Sequence, residues 1–109
     1  MNTSNQNLIT LKDYSDSKPY VNSTGTEVDF EVEYDDKLMN VTVEMSWCGK
    51  YDELEIKSTQ SECYDEEGNI VNTPNFDMIA LVVEVFEKYN TFSKVEMAME
   101  ESYHADHRG

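Results

Sequence analysis

The chain has 109 residues, with 23 Asp and Glu against eight Lys and Arg, a net charge of −15 at pH 7. That length suits one domain with a modest core. A negative surplus of this size disfavours direct binding to DNA, RNA or an anionic bilayer, which are themselves anionic, and favours cationic partners.

Residues 1–26 are polar and rich in Asn, Ser and Thr, and their four charges (Lys12, Asp13, Asp16 and Lys18) cancel. They are expected to be flexible or loosely ordered, with at most a short strand at Leu8, Ile9 and Leu11. The start has neither the basic residues nor the apolar stretch of a signal peptide. Without a secretion signal, the Asn-x-Ser/Thr triplets at Asn2, Asn22 and Asn40 read as chance. No apolar run is long enough to span a membrane. Two cysteines, Cys48 and Cys63, do not make a disulfide framework. The expectation is a cytoplasmic protein with reduced thiols, in the host cell interior if phage-encoded.

A single α+β domain is expected over 27–104. Residues 27–34 alternate without a miss. Val28, Phe30, Val32 and Tyr34 point one way, and Glu27, Asp29, Glu31 and Glu33 the other. Asp35-Asp36-Lys37 supplies turn chemistry. A second strand, about 38–47, alternates Met39, Val41, Val43, Met45 and Trp47 with Asn40, Thr42, Glu44 and Ser46. After a short turn at Cys48-Gly49-Lys50, a third strand spans about 51–57. Leu54 and Ile56 face inward there, and Glu53, Glu55 and Lys57 outward. Short loops make these three strands an antiparallel meander. A further hairpin is expected around Asp65-Glu66-Glu67-Gly68, with arms 62–64 and 69–71 and the glycine in the left-handed position.

The period then changes. Thr73-Pro74 predicts an N-cap and first helical residue. Phe76, Ile79, Val82, Val83, Phe86 and Tyr89 recur at helical spacing to about residue 89, with Asp77 in the first turn and Asn90 as a C-terminal cap. Residues 91–104 suit either a helix, through a Ser93–Glu96 capping box, or a strand, through alternating Val95, Met97 and Met99; helix is the preferred reading. Residues 105–109 are expected to fray. The fold expected is therefore an antiparallel sheet of four or five strands, a meander plus a hairpin, backed by one main helix and a shorter C-terminal helix.

This meander places Glu27, Asp29, Glu31, Glu33, Glu44, Glu53 and Glu55 on one face, with Lys57 to offset them and Tyr51 beside Glu53. An ordinary solvated face of an acidic protein would look similar. Yet residues 27–67 hold fourteen acids and three lysines, a net of −11, while residues 68–109 carry only −4. Like charges opposed across strands are destabilising, and a face selected for stability alone would interleave lysines. A row of carboxylates also resembles a row of phosphates. These eight residues, the seven acids and Tyr51, are the candidate partner-binding set. Trp47 reads slightly better as core than as a partner contact.

Other constellations are weaker. Asp65-Glu66-Glu67-Gly68-Asn69 offers oxygens, but lacks the spacing and closing Glu of a Ca²⁺ loop. Trp47-Cys48-Gly49 lacks the second cysteine of a redox motif, because position 51 is Tyr51. His104 and His107 have no further ligands nearby. Neither a metal nor a cofactor is expected. No nucleophile elbow, phosphate loop or zinc-protease motif is present, so the chain reads as a binder without catalysis.

In size and composition the chain resembles small acidic inhibitors encoded by phages and mobile elements. Those proteins block restriction enzymes, CRISPR effectors and repair enzymes by imitating nucleic acid. The likeness implies a basic nucleic-acid-binding protein as partner. The chain itself is expected to be a monomer or small homo-oligomer. It carries no residue roles. The alternatives are a structural or assembly module whose acidity serves solubility, and a weak Ca²⁺ or Mg²⁺ binder.

Overall fold

A computed structural model describes residues 14–48, 53–73 and 76–107. Among these, six strands form one antiparallel sheet and two helices cover one of its faces, an α+β fold. The strands are β1 (Ser15–Asp16), β2 (Tyr20–Val21), β3 (Glu27–Tyr34), β4 (Lys37–Cys48), β5 (Glu53–Tyr64) and β6 (Ile70–Val71). The helices are α1 (Met78–Lys88) and α2 (Thr91–His107). Neighbours in the sheet run β1-β3-β4-β5-β6, and β2 also pairs with β3.

The β3–β4 hairpin closes in two residues. Asp35 and Asp36 both adopt left-handed backbone, with φ of 46° and 59°. Such turns match the natural twist of the strands, and Asp tolerates the conformation better than most residues. The turn sets the register, placing Tyr34 opposite Lys37 and Glu27 opposite Glu44.

The third strand is much longer than expected. It runs without interruption from Glu53 into the arm assigned to the next hairpin. A bulge makes this possible. Glu44 pairs with Ser58 and Met45 with Ile56, leaving Lys57 as an extra residue. An extra residue inverts the alternation. Leu54 and Ile56 face inward before it, and Thr59, Ser61 and Cys63 after it. Glu53, Glu55 and Glu62 therefore share the outer face despite their different parity. The β5–β6 hairpin closes as expected, with Gly68 at φ 88°. The Gly68 N–H donates to the Asp65 carbonyl, and the Asp65 side chain accepts from the N–H groups of Glu67 and Asn69.

The core lies between the sheet and the helices. Val28, Phe30, Val32, Met39, Val41, Val43 and Met45 meet Leu81, Val82, Val85 and Phe86 of α1 and Val95 of α2. Phe86 makes edge-to-face contacts with Phe30 and Phe92, at centroid distances of 6.2 and 5.1 Å. The expected start of α1 at Thr73-Pro74 is corrected. Asp77 has extended backbone and its carboxylate accepts from the Ala80 N–H at 3.1 Å, so Asp77 is itself the N-cap. Buried Phe76 and Leu81 flank it at the positions of a hydrophobic staple.

Asn90 takes left-handed backbone, φ 55°, just after α1. It turns the chain in one residue, so α2 starts at once at Thr91. Ser93, expected to be a cap, lies inside the first turn. The C-terminal helix, expected to be the shorter, has 17 residues against 11 for α1. Val95 and Met99 pack inward while Met97 is exposed, a four-residue period that settles helix over strand.

From Tyr14 onward the polar N-terminal segment contributes two short strands to the sheet. β1 and β2 pair with β3, and between them Ser17 and Glu31 exchange hydrogen bonds, so the β3 edge is covered. Asp16 faces the helices with only 4% of its side chain exposed. It accepts from Lys88 Nζ at 3.2 Å and from the Tyr89 hydroxyl at 2.7 Å. Tyr14 donates to Glu84 of α1. Gly25 is buried beneath α2. Leu8, Ile9 and Leu11, and the predicted turn after Cys48, fall outside the described residues.

Candidate functional site: the open face of the sheet

Both helices pack on one face of the sheet. The opposite face carries the carboxylates, and no described element covers it. Strand alternation and the pairing register together place every described member of the predicted set there. Glu27, Asp29, Glu31 and Glu33 stand along β3, Glu44 on β4, and Glu53 and Glu55 along β5. All seven are exposed. Tyr51 lies outside the described residues. Glu62 joins the face through the bulge, a member that strict alternation had missed.

The arrangement is one line of charge along β3, a nearly neutral lane on β4, and separate carboxylates on β5. Across the sheet, Glu31 is followed by Asn40 and Glu62, Asp29 by Thr42 and Gln60, and Glu55 by Ser46. Except for Glu44, the lane on β4 is uncharged. Carboxylates along β3 repeat about every 6.8 Å. On β5 only Glu62 stands across the lane from a β3 acid, Glu31, about 10 Å away; Ser58 and Gln60 separate it from Glu55 and Glu53, which lie past the end of β3.

Neutral donors orient several of these groups. Thr42 Oγ1 donates to Asp29 at 2.8 Å, Ser58 Oγ to Glu44 at 2.7 Å, and the Tyr64 hydroxyl to Glu62 at 3.0 Å. That last bond raises the Tyr64 phenol above its ordinary pKa. Cations are scarce. Among the described residues the ion pairs are Lys37–Asp35 and Lys88–Asp16, and neither includes an outer-face acid.

The remaining candidates have local roles. Backbone N–H groups, that of Asn69 first, hold the Asp65 carboxyl below its usual range, so its charge closes the hairpin. Among the described residues no group of three His, Cys, Asp or Glu converges to hold a metal. Cys48 ends β4, and buried Cys63 shares a hydrogen bond with the Tyr34 hydroxyl. Trp47 has the inward parity expected for core, yet is 42% exposed near the end of β4. The side chains of His104 and His107 are outside the described set. No helix among the described residues is long and apolar enough to cross a membrane.

Sequence reasoning missed four apolar or aromatic members of this face. Tyr20, 67% exposed, stands beside Asp29. Leu38, Tyr64 and Ile70 lie side by side in one row. A two-residue turn at Asp35-Asp36 already implies outward parity for Leu38. The other three depend on pairings with short strands or across the bulge.

No protein-family model matches the chain, and neither the curated proteins nor the solved structures give a significant match.

Proposed function

We propose that this protein is a non-enzymatic acidic binder that docks its open sheet face onto the basic, nucleic-acid-binding surface of a partner protein and blocks it. The observation that carries this reading is the unbroken line of four exposed carboxylates on β3, with Glu44, Glu62, Glu55 and Glu53 on the same open face and no described cation paired with any of them. A surface built to follow a row of phosphates would meet charge of the right sign along β3. Arrayed charge of this kind speeds association and sets orientation.

The register favours this reading over acidity for solubility alone. Solubility is served by charge placed anywhere, whereas Glu27 directly opposite Glu44 costs stability. A Ca²⁺ or Mg²⁺ site has less support, because the hairpin acid Asp65 is already engaged by backbone N–H groups. The reading extends to an anti-restriction or anti-CRISPR type of inhibitor acting in the cytoplasm.

The test is capture of partners from bacterial lysate on immobilised protein, with and without competing DNA or RNA. Capture of a nucleic-acid-binding protein, released by its own nucleic acid and by salt, is the expected result. A captured partner that binds its nucleic acid normally in the presence of saturating protein contradicts the mimicry.

A further inference from the structure

The row that crosses the sheet at the β3–β4 turn reads Glu33, Leu38, Tyr64, Ile70 on four successive strands. Three apolar or aromatic side chains thus stand side by side on the face that otherwise carries carboxylates. Adjacent strands lie about 4.8 Å apart, so the strip is about 10 Å long. Ile70 is 71% exposed, more than any other large hydrophobic side chain among the described residues. Val71, its neighbour, packs against the core, so β6 gains its anchoring from Val71 and leaves Ile70 facing water. Glu62 and Glu33 border the strip. Beside it an open depression of about 600 Å³ lies between the two hairpin turns, with Leu38, Asp35, Asp36, Asp65 and Glu66 in its lining.

Imitation of phosphates alone has no use for an exposed isoleucine at the end of the acidic face. Association with a second copy would bring two chains of net charge −15 together, and the acids around the strip would face each other. Charge complementarity selects a cationic protein surface instead. Resting on the proposed function, we infer that the Leu38–Tyr64–Ile70 strip is the apolar anchor of the docking face. Its occupant is a basic protein surface that presents an apolar side chain between Arg or Lys residues. The carboxylates of the open face attract and orient this partner. The strip excludes water at one end and slows dissociation, the usual division between charged and apolar contacts at interfaces.

Two labelled 12-residue peptides test this, one alternating Arg with Leu and one alternating Arg with Ser. Both have the same charge, and binding is followed by fluorescence anisotropy between 50 and 300 mM NaCl, roughly the range over which the Debye length shortens from above 10 Å to below 8 Å. The Arg/Leu peptide is expected to bind about tenfold more tightly. Ile70→Ser should remove most of that advantage and leave the salt dependence unchanged. Ile79→Ser, which removes an equally large exposed side chain from α1 on the opposite side, should change neither. Circular dichroism of each variant verifies the fold. Equal affinity of the two peptides, or an Arg/Leu advantage that survives Ile70→Ser, overturns the anchor and leaves the acidic docking face standing. Absence of salt-sensitive binding by either peptide overturns both.

Discussion

Glu27 and Glu44 face one another directly across β3 and β4, and among the described residues no cation pairs with either. The two-residue turn at Asp35-Asp36 dictates this opposition, since it leaves the register no freedom. Glu44 is held by Ser58 Oγ, so it does not simply swing away. The sheet thus retains an unfavourable contact that one lysine would relieve.

Glu27→Lys should therefore stabilise the fold by about 0.5 kcal/mol at low salt, by replacing a like-charged pair with an opposite one. Urea denaturation at 20 and 500 mM NaCl measures it, with the gain shrinking at the higher concentration, where the Debye length of about 4 Å is comparable with the contact distance. No gain at either salt concentration would show that the pair costs nothing.

Gly25 sits where α2 crosses the β2–β3 connection. A Cβ there would lie 2.7 Å from the Val95 carbonyl oxygen and 2.8 Å from Met99 Cγ, on a residue with φ 76°. Gly25→Ala should cost more than about 2 kcal/mol, combining left-handed strain with displacement of helix backbone. Thermal melts detect this readily. An unchanged melting temperature would mean that α2 does not rest on this loop.

Thr91 is 1% exposed, and its hydroxyl has no hydrogen-bond partner among the described residues. Burying an unpaired hydroxyl is unfavourable, and valine has nearly the same shape. Thr91→Val should raise stability by about 1 kcal/mol. A loss of stability in urea denaturation would show that the hydroxyl does form a bond.

Two groups give opposite pH limits. Asp65 has a lowered folded pKa, so the unfolded chain takes up its proton first. Its contribution is complete above the unfolded value near 3.8 and is lost as pH falls through the lowered folded value. Tyr34 is raised, mainly by burial and then by its bond to Cys63, so its contribution is complete below pH 10.0 and lost as pH rises above it. Asp65→Ala should flatten the acid side of the stability profile and Tyr34→Phe the alkaline side. The reverse pattern would contradict both assignments.

Much of the architecture was legible because alternation survives in β3 and β4, where every inward position is apolar. Even the bulge left a trace: inward residues run Leu54, Ile56 and then Thr59, Cys63, a change of parity. It was hidden because Thr59 and Ser61 are polar, so the strand seemed to end at Lys57. The ordering of residues 14–26 was not legible. β1 and β2 have two residues each and gain stability from β3, from Asp16 beneath Lys88 and Tyr89, and from Gly25 beneath α2. Such contacts join residues about seventy positions apart and leave no local pattern. The acidic face was visible in outline. Its neutral lane and apolar row emerge only when register aligns the strands.

The most direct test of the central claim is the affinity of the double variant Asp29→Lys/Glu31→Lys for the captured partner, measured against wild type across a salt series. Both residues are exposed on the open face, remote from the core. Docking through the acidic face predicts an intact fold, a loss of affinity of at least about tenfold, equivalent to roughly 1.4 kcal/mol, and a shallower salt dependence. Wild-type affinity with wild-type salt dependence in a folded double variant would contradict it.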